Sequence, residues 1–497
     1  MDSKPNDRRR WLGGMSAAAV ASLLPAGPEG LASAQTGTPT RGSYTTDVAV
    51  IGAGYAGLAC ARALVAAGRD VLVLEGRDRV GGRCFNQRLP APYDQLMVAG
   101  GAEFLGPTQD RMYALAKEFG IATAPVYDTG KLVNVARGKR TTYTGVIPTA
   151  NLLASADAGL ALLKLDSLAN EIPLDAPWTA AKAAEYDAMT VQGWIDKNVS
   201  TRDARNLLRT AVLALLCTEP AGISMLYFLF YVRSGGGLTS LLSTTGGAQQ
   251  DHVVGGSQRI AIAMAQSLGA QRLLFNALAR RITQDSTGVT ILGDGFTVRA
   301  NRVVVAMSPW VASRLDYSPM AGAMQARLQL MQRVPMGSVW KVHAVYDRPF
   351  WRDQGLNGQV SSDAFLTKVT FDVSPEGPDA PGIMMGFIEG QDAIDATLMT
   401  DAARKAKILE AFSFYFGSAA ATPRAYVEMN WQAEALSAGG YTGVCPPGVM
   451  TGFGPVWRAP IGRLHWAGTE TSPVWSGYMD GAVRSGERAA QEILGAA

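Results

Sequence analysis

Histidine and cysteine are scarce in this chain, three and four among 497 residues. The histidines (His252, His343, His465) lie far apart and unpatterned, which excludes a zinc site built on regular ligand spacing. The cysteines (Cys60, Cys84, Cys217, Cys445) form no CxxC pair, so neither metal nor dithiol chemistry is expected. Cys60 falls on a segment that reads as a buried helix, where a free thiol is common. Charge of one sign is missing too. The formal net charge is +3 with both signs spread along the chain, which removes nucleic-acid binding from the candidate classes. No run reaches the ~18 uninterrupted apolar residues of a membrane span. What is present is an ordinary globular composition, 47% hydrophobic and 18% charged. The length exceeds the usual single core, so two intertwined domains are expected.

The first stretch with a mechanical meaning is Gly52-Ala-Gly-Tyr-Ala-Gly57. It lies between an expected buried strand at 46–51 (TDVAVI) and a segment of helical composition at 58–67, which Gly68 ends. VLVLE (71–75) follows as a second strand. Gly52 permits the tight turn, Gly54 lets the backbone approach a pyrophosphate, and Gly57 lets helix and strand pack closely, with Ala56 beside it. The helix N-terminus then turns its positive dipole end to the phosphates. Glu75, about 20 residues on, can take both hydroxyls of a ribose. Strand, helix and acidic residue in register point to a dinucleotide without separating FAD from NAD.

Arg77-Asp-Arg-Val-Gly-Gly-Arg83 comes directly after Glu75 and Gly76, bringing backbone amides and a guanidinium against the same diphosphate. With GGAEFLGPTQDRM (100–112), FLFYVRSGGG (228–237), STTGGAQQ (243–250), VVGGSQ (253–258), RVPMGSVWKV (333–342), NWQAE (430–434) and HWAGTETSPVWSGYMDGAVRSGERAA (465–490), the sequence resembles the flavin-dependent monoamine oxidase family. The resemblance runs from about Thr46 to the C-terminus and takes in the mitochondrial enzymes and their bacterial relatives. It implies an α/β fold: a Rossmann-like FAD-binding domain of the p-hydroxybenzoate-hydroxylase type, interleaved with a substrate domain of mixed sheet and helices. The cofactor domain is expected at 45–130, 246–312 and 428–497, and the substrate domain at 131–245 and 313–427. Composition agrees in part: 151–235 is Ala/Leu-rich and helical in character, while VWKVHAVY (339–346) and IMMGFIEG (383–390) read as strands.

The resemblance assigns roles residue by residue. Gly76, Arg77, Gly82, Arg83, Gly100, Gly101 and Ala102 join the first glycine motif in holding FAD. Val254, Gly255 and Ser257 would touch the adenine–ribose side through backbone, the Gly468-Thr469-Glu470 turn the phosphates, and Trp431 the flavin itself. Tyr441 and Tyr478 would form a pair of rings flanking the substrate nitrogen before the flavin, holding the amine by its polarity. The glycines around Tyr478 would let Tyr478 and Met479 pass under the isoalloxazine, and the helix from about Asp480 would aim its dipole at the pyrimidine end. In the family the lysine matching Lys341 holds a water at flavin N5 and assists reaction with oxygen. Leu216, Tyr231, Leu242 and Gln249 would line the substrate pocket.

Removing two electrons and a proton from the carbon beside nitrogen is work for the flavin, with the protein supplying orientation and polarity. No recognised motif carries a histidine or carboxylate in an obvious base position. No motif arginine is seen for a substrate carboxylate and no acidic cluster for a polyamine, so an apolar primary or secondary amine is favoured. The expected products are an imine, hydrolysed to aldehyde or ketone, and hydrogen peroxide from O2. An amine dehydrogenase passing electrons to a cytochrome c is the rival reading; assembly as a homodimer stays open. In the mitochondrial enzymes a cysteine before the matching tyrosine bonds the flavin 8α-methyl. Here Gly440 takes its place and Cys445 lies four residues past Tyr441, so non-covalent FAD is expected.

The ends carry their own signals. Arg8-Arg9-Arg10-Trp11-Leu12, the weakly apolar run at 13–24 and Ala32-Ser33-Ala34 match a twin-arginine signal peptide over 1–34. This predicts export, already folded, to the periplasm or beyond. The mitochondrial enzymes continue into a membrane-anchoring helix; this chain ends at Ala497, which predicts no membrane anchor.

Overall fold

Val48, Val50 and Val71–Leu74 are almost completely buried, as strands covered on both faces of a parallel sheet must be. Alternate side chains of these strands enter two different cores: Val48, Val50 and Val73 one, Ala49, Ile51 and Leu74 the other. The computed structural model describes residues 40–148 and 151–495, so the signal-peptide expectation at 1–34 lies outside the described residues. Gly42–Ile51 sits between Val71–Leu74 and Phe296–Ala306, parallel to both. Leu273–Leu274 extends one side, Leu464–Ala467 pairs parallel with Phe296–Ala306, and Val289–Gly293, Ala279–Gln284 and Asp316–Ser318 complete the sheet. The boundary expected at 312 therefore falls short of the sheet's last strand. Pairing decides membership there, and composition carries no trace of it.

Two helices fix the ends of this sheet against one cavity. Tyr55–Ala66 starts directly after the Gly52 turn. The C-terminal helix Met479–Gly495 packs across it so closely that a Cβ on Gly486 would lie 2.0 Å from the Ala56 carbonyl oxygen. Only glycine admits that approach.

The second sheet runs, in order, Ala425–Asn430, Val339–Tyr346, Gly382–Glu389, Val369–Asp372, Leu356–Ser362, Lys131–Ala136 and Lys139–Tyr143. Its second and third strands, Val339–Tyr346 and Gly382–Glu389, are buried at every residue, in keeping with the apolar runs that mark them in the sequence. The boundary expected at 428 falls inside its edge strand. Helices Leu152–Asn170, Arg202–Leu216 and Met225–Ser234 pack beside it around a large apolar core. The fold is mixed α/β, and the cavity lies where the two sheets and these helices converge. No helix among the described residues is long and apolar enough to cross a membrane.

Candidate active site

One cavity of about 600 Å³ joins both glycine motifs to the helical region. At its nucleotide end Gly52 has φ +108°, and a Cβ there would meet the Ala306 carbonyl oxygen at 2.6 Å. A Cβ on Gly57 would lie 1.9 Å from the Gly52 oxygen, so Gly57 brings helix and turn together. Gly54 differs: its Cβ would meet only the Gly82 Cα, at 3.9 Å. Two bare backbones thus approach each other closely on the cavity wall, with no side chain on either to keep a diphosphate away. The Gly81 amide, donating to the Ala53 carbonyl at 2.9 Å, ties the two loops. Glu75 is 4% exposed and accepts from the Ala53 and Arg77 amides at 2.8 and 2.9 Å. The buried hydroxyl of Ser308, on the same wall, has no hydrogen-bond partner among the described residues. Bare glycine wall, fixed carboxylate and orphaned hydroxyl fit the diphosphate and ribose of a dinucleotide.

Arg83 does something other than expected. Its guanidinium donates to both carboxylate oxygens of Glu470, at 2.6 and 3.2 Å, and to the Tyr441 carbonyl at 2.7 Å. Burial pushes the Glu470 acid up, yet Arg83 overcomes this and holds its pKa below the usual range. Glu470 also accepts from the Gly443 amide at 3.2 Å. The pair therefore braces the loop carrying Tyr441 to the cofactor motif.

Tyr441 and Tyr478 both line the other end of the cavity. Each is held edge-on by a neighbouring ring: Phe387 stands 5.7 Å from Tyr441 at 80°, and Trp475 stands 4.9 Å from Tyr478 at 74°. Tyr231 stacks on Tyr478 at 6.1 Å. No ring contact joins Tyr441 to Tyr478 among the described residues, so two separately braced faces border the space. The Gly440–Tyr441 peptide is cis. Trp431 donates its indole N–H to the Gly100 carbonyl at 2.8 Å, and a Cβ on Gly101 would touch its ring at 2.9 Å.

Lys341 lies on an interior strand, 3% exposed, and reaches the cavity wall. Its ammonium donates to the Gly101 carbonyl at 3.0 Å and to Glu103 at 2.5 Å. Burial draws its pKa down while the Glu103 carboxylate opposes the shift. The helices give an apolar wall, with Leu208, Ala211 and Leu215 one turn apart on Arg202–Leu216. The guanidiniums on the cavity wall, Arg77 and Arg83, are paired with Glu434 and Glu470.

Of the residues expected from sequence, Gly52, Gly54, Glu75, Gly76, Arg77, Gly82, Arg83, Gly101, Ala102, Lys341, Trp431, Tyr441, Thr469, Tyr478 and Met479 line this cavity, as do Tyr231, Leu242 and Gln249. The rest do not reach it. The Val254 side chain points outward, 40% exposed, and Ala277–Ala279 with Ser308 and Val311 line the nucleotide end of the cavity. Gly255 accepts from Asn86 at 2.7 Å, and the Ser257 hydroxyl bonds the Ala102 carbonyl; both brace the loop from behind. Leu216 is turned into the core one position past Leu215, since a single residue rotates a helical side chain by about 100°. Ala56 and Gly57 pack helices, Gly100 holds Trp431, and Gly468 and Glu470 lie behind Thr469.

The sequence reading missed carboxylates. Asp128 lines the cavity but is consumed by Asn357, Gln359 and Thr245 at 3.0, 2.8 and 2.8 Å. Glu389, outside every recognised motif, is the second. It lines the cavity, is 4% exposed, and accepts from the Tyr441 hydroxyl at 3.3 Å through one oxygen. Its other oxygen has no partner among the described residues. Burial pushes its pKa up to about 7, against the opposing pull of Tyr441 and Lys368. The available signal was a single charge closing an apolar strand, IMMGFIE.

Residues 55–494 match the family described as flavin containing amine oxidoreductase. AofH of Mycobacterium tuberculosis is 42% identical over 91% of this chain and 98% of its own length. Cyclohexylamine oxidase from Brevibacterium oxydans superposes with a TM-score of 0.86 at 33% identity, covering 91% of this chain and 99% of that one. Wild-type putrescine oxidase bound to putrescine gives 0.87 at 30% identity, over 91% and 100%.

Proposed function

The chain belongs to the flavin-containing amine oxidoreductase family and is an amine oxidase, and we propose that it uses non-covalent FAD to oxidise an apolar primary or secondary amine with O2. The observation that carries this reading is the continuity of one cavity from the bare Gly54/Gly82 wall, past Trp431 and Lys341, to the Tyr441 and Tyr478 faces and an apolar helical wall. When bound, the flavin supplies a two-electron acceptor for the C–H bond beside nitrogen.

The chain's own groups do the rest. The glycine loops and the Tyr55–Ala66 helix start hold the diphosphate, Glu75 the ribose, and Trp431 and Met479 the ring end. Tyr441 and Tyr478 restrict the approach of the amine to the gap between them. Leu208, Ala211 and Leu215 exclude water and favour a hydrocarbon substituent. With both wall guanidiniums already paired, no free cation on the described wall awaits a substrate carboxylate. The Lys341 ammonium, kept on the wall by Gly101 and Glu103, offers positive charge where reduced oxygen would develop negative charge. Among the four cysteines only Cys84 lines the described cavity, and burial pushes its thiol up to about 12, which supports a flavin held without a covalent bond.

Two further readings rest on sequence alone: export by the twin-arginine route, from Arg8-Arg9 and its flanks, and transfer to O2 rather than to a cytochrome c. Peroxide formed per amine consumed tests the acceptor. A yield near unity supports the oxidase; oxygen-independent turnover with added cytochrome c and no peroxide overturns it.

A further inference from the structure

Glu389 is the last residue of the strand Gly382–Glu389, opposite Val339 in the ladder. It shares the cavity wall with Tyr441 and Tyr478, with one oxygen on the Tyr441 hydroxyl and the other unpartnered among the described residues. The charged and titratable groups around it are already engaged. Lys368, from the neighbouring strand side, is paired with Asp392 of the helix after Gly390. Glu219, against Gly390, is paired with Arg209 at 2.8 Å. Lys341 of the adjacent strand is held by Glu103. Cys217 and Tyr441 are buried, and burial holds both well above their usual ranges, so they stay neutral. A buried carboxylate without a cation of its own is costly when ionised. The cation that would relieve it must arrive in the cavity.

An alkylamine arrives in water as its ammonium, whereas loss of hydride from carbon requires the free nitrogen lone pair. We propose that Glu389 is the proton acceptor that converts the bound substrate ammonium into the reactive amine, directly or through the Tyr441 hydroxyl. One N–H bond breaks and its electron pair stays on nitrogen; one O–H bond forms on Glu389, turning carboxylate into neutral acid. The inference rests on the amine-oxidase reading above. The acid's position near neutrality matches an acceptor that is ionised when substrate enters and returns its proton to solvent afterwards.

Proton counting on binding tests this without turnover. The flavin-loaded protein is titrated anaerobically with an amine lacking any hydrogen on its α-carbon, in dilute buffer with an indicator dye. Wild type is expected to release about one proton per site near pH 6, where Glu389 is already neutral, and almost none near pH 8.5, where the neutral amine seated against Glu389 displaces water from it, raises its pKa further and keeps the proton there while the ligand is bound. Glu389→Gln is expected to release about one at both. Equal release by both proteins near pH 8.5 overturns the proposal. With a reactive amine near pH 7.5, flavin reduction by Glu389→Gln should slow roughly a hundredfold and recover as pH passes the amine's own pKa, and Glu389→Asp should restore part of the rate. An unchanged pH profile also overturns it. Failure of every amine to reduce even the wild-type flavin would instead remove the parent reading.

Discussion

The Lys341 ammonium and the Glu103 carboxylate form a 2.5 Å ion pair, with both side chains less than a tenth exposed. The two are supplied by different sheets' neighbourhoods, so the pair joins the cofactor loop at 100–103 to an interior strand of the second sheet. Lys341→Met leaves Glu103 buried and unpaired, a change that costs on the order of 3–5 kcal/mol. The double variant Lys341→Met with Glu103→Gln should regain most of that loss. Thermal or urea melts of both check it; equal losses in the single and double variants would mean the pair is energetically idle.

The same double variant separates structure from oxygen chemistry. If the Lys341 charge assists oxygen, reoxidation of the reduced protein should stay slow after stability has been regained, while reduction by amine changes little. Stopped-flow traces of the two half-reactions give the answer, and wild-type reoxidation would assign Lys341 to structure alone.

Gly54→Ala and Gly57→Ala should part company although only two residues separate them. The added methyl at 57 would stand 1.9 Å from a backbone oxygen, whereas at 54 it meets only the Gly82 Cα at 3.9 Å. Gly57→Ala is expected to lose the folded protein. Gly54→Ala should fold as apoprotein but bind FAD at least about tenfold more weakly, or roughly 1.4 kcal/mol. Flavin content and the circular dichroism of the stripped protein distinguish the two.

Glu389 also makes a prediction about stability and pH. Its folded pKa, about 7, lies above its ordinary 4.5, so the fold prefers the protonated form. The stabilisation from this preference is present below pH 4.5 and declines as pH rises toward 7, by roughly 3 kcal/mol in all. Glu389→Gln cannot titrate. Its melting temperature relative to wild type should therefore climb between about pH 5 and pH 8; a constant difference would place the Glu389 pKa in the ordinary range.

Much of this was readable in sequence, and the reason lies in the kind of constraint. Gly52, Gly57 and Gly486 answer to backbone contacts under 3 Å, which no other residue meets, so their spacing is a direct record of geometry. Tyr441, Tyr478 and Lys341 came from family resemblance, since spacing does not distinguish a cavity ring from a core ring. Glu103 and Glu389 were not legible. Each takes its meaning from a partner 238 or 52 residues away; in the sequence Glu103 is one acid between Ala102 and Phe104, and Glu389 one acid closing an apolar run. Leu216 misses the cavity wall more locally, by one helical step. Arg83 was read as a phosphate ligand because the bidentate Glu470 that occupies it is distant in the chain.

Tyr441→Ala or Tyr478→Ala should keep flavin and fold yet lower turnover by on the order of a hundredfold, the scale of a ~1 Å misplacement of reacting groups. Steady-state rates with flavin content measured alongside decide this; wild-type rates in both would remove the rings from the site.

The central claim is that this cavity oxidises an apolar amine at a bound flavin. Its most direct test is anaerobic mixing of the loaded protein with a panel of arylalkyl, alicyclic, diamine and amino-acid substrates, following loss of the oxidised flavin's absorbance. The account predicts full bleaching by one or more apolar monoamines and none by amino acids. Absence of bleaching by every monoamine, or bleaching by amino acids alone, would contradict it.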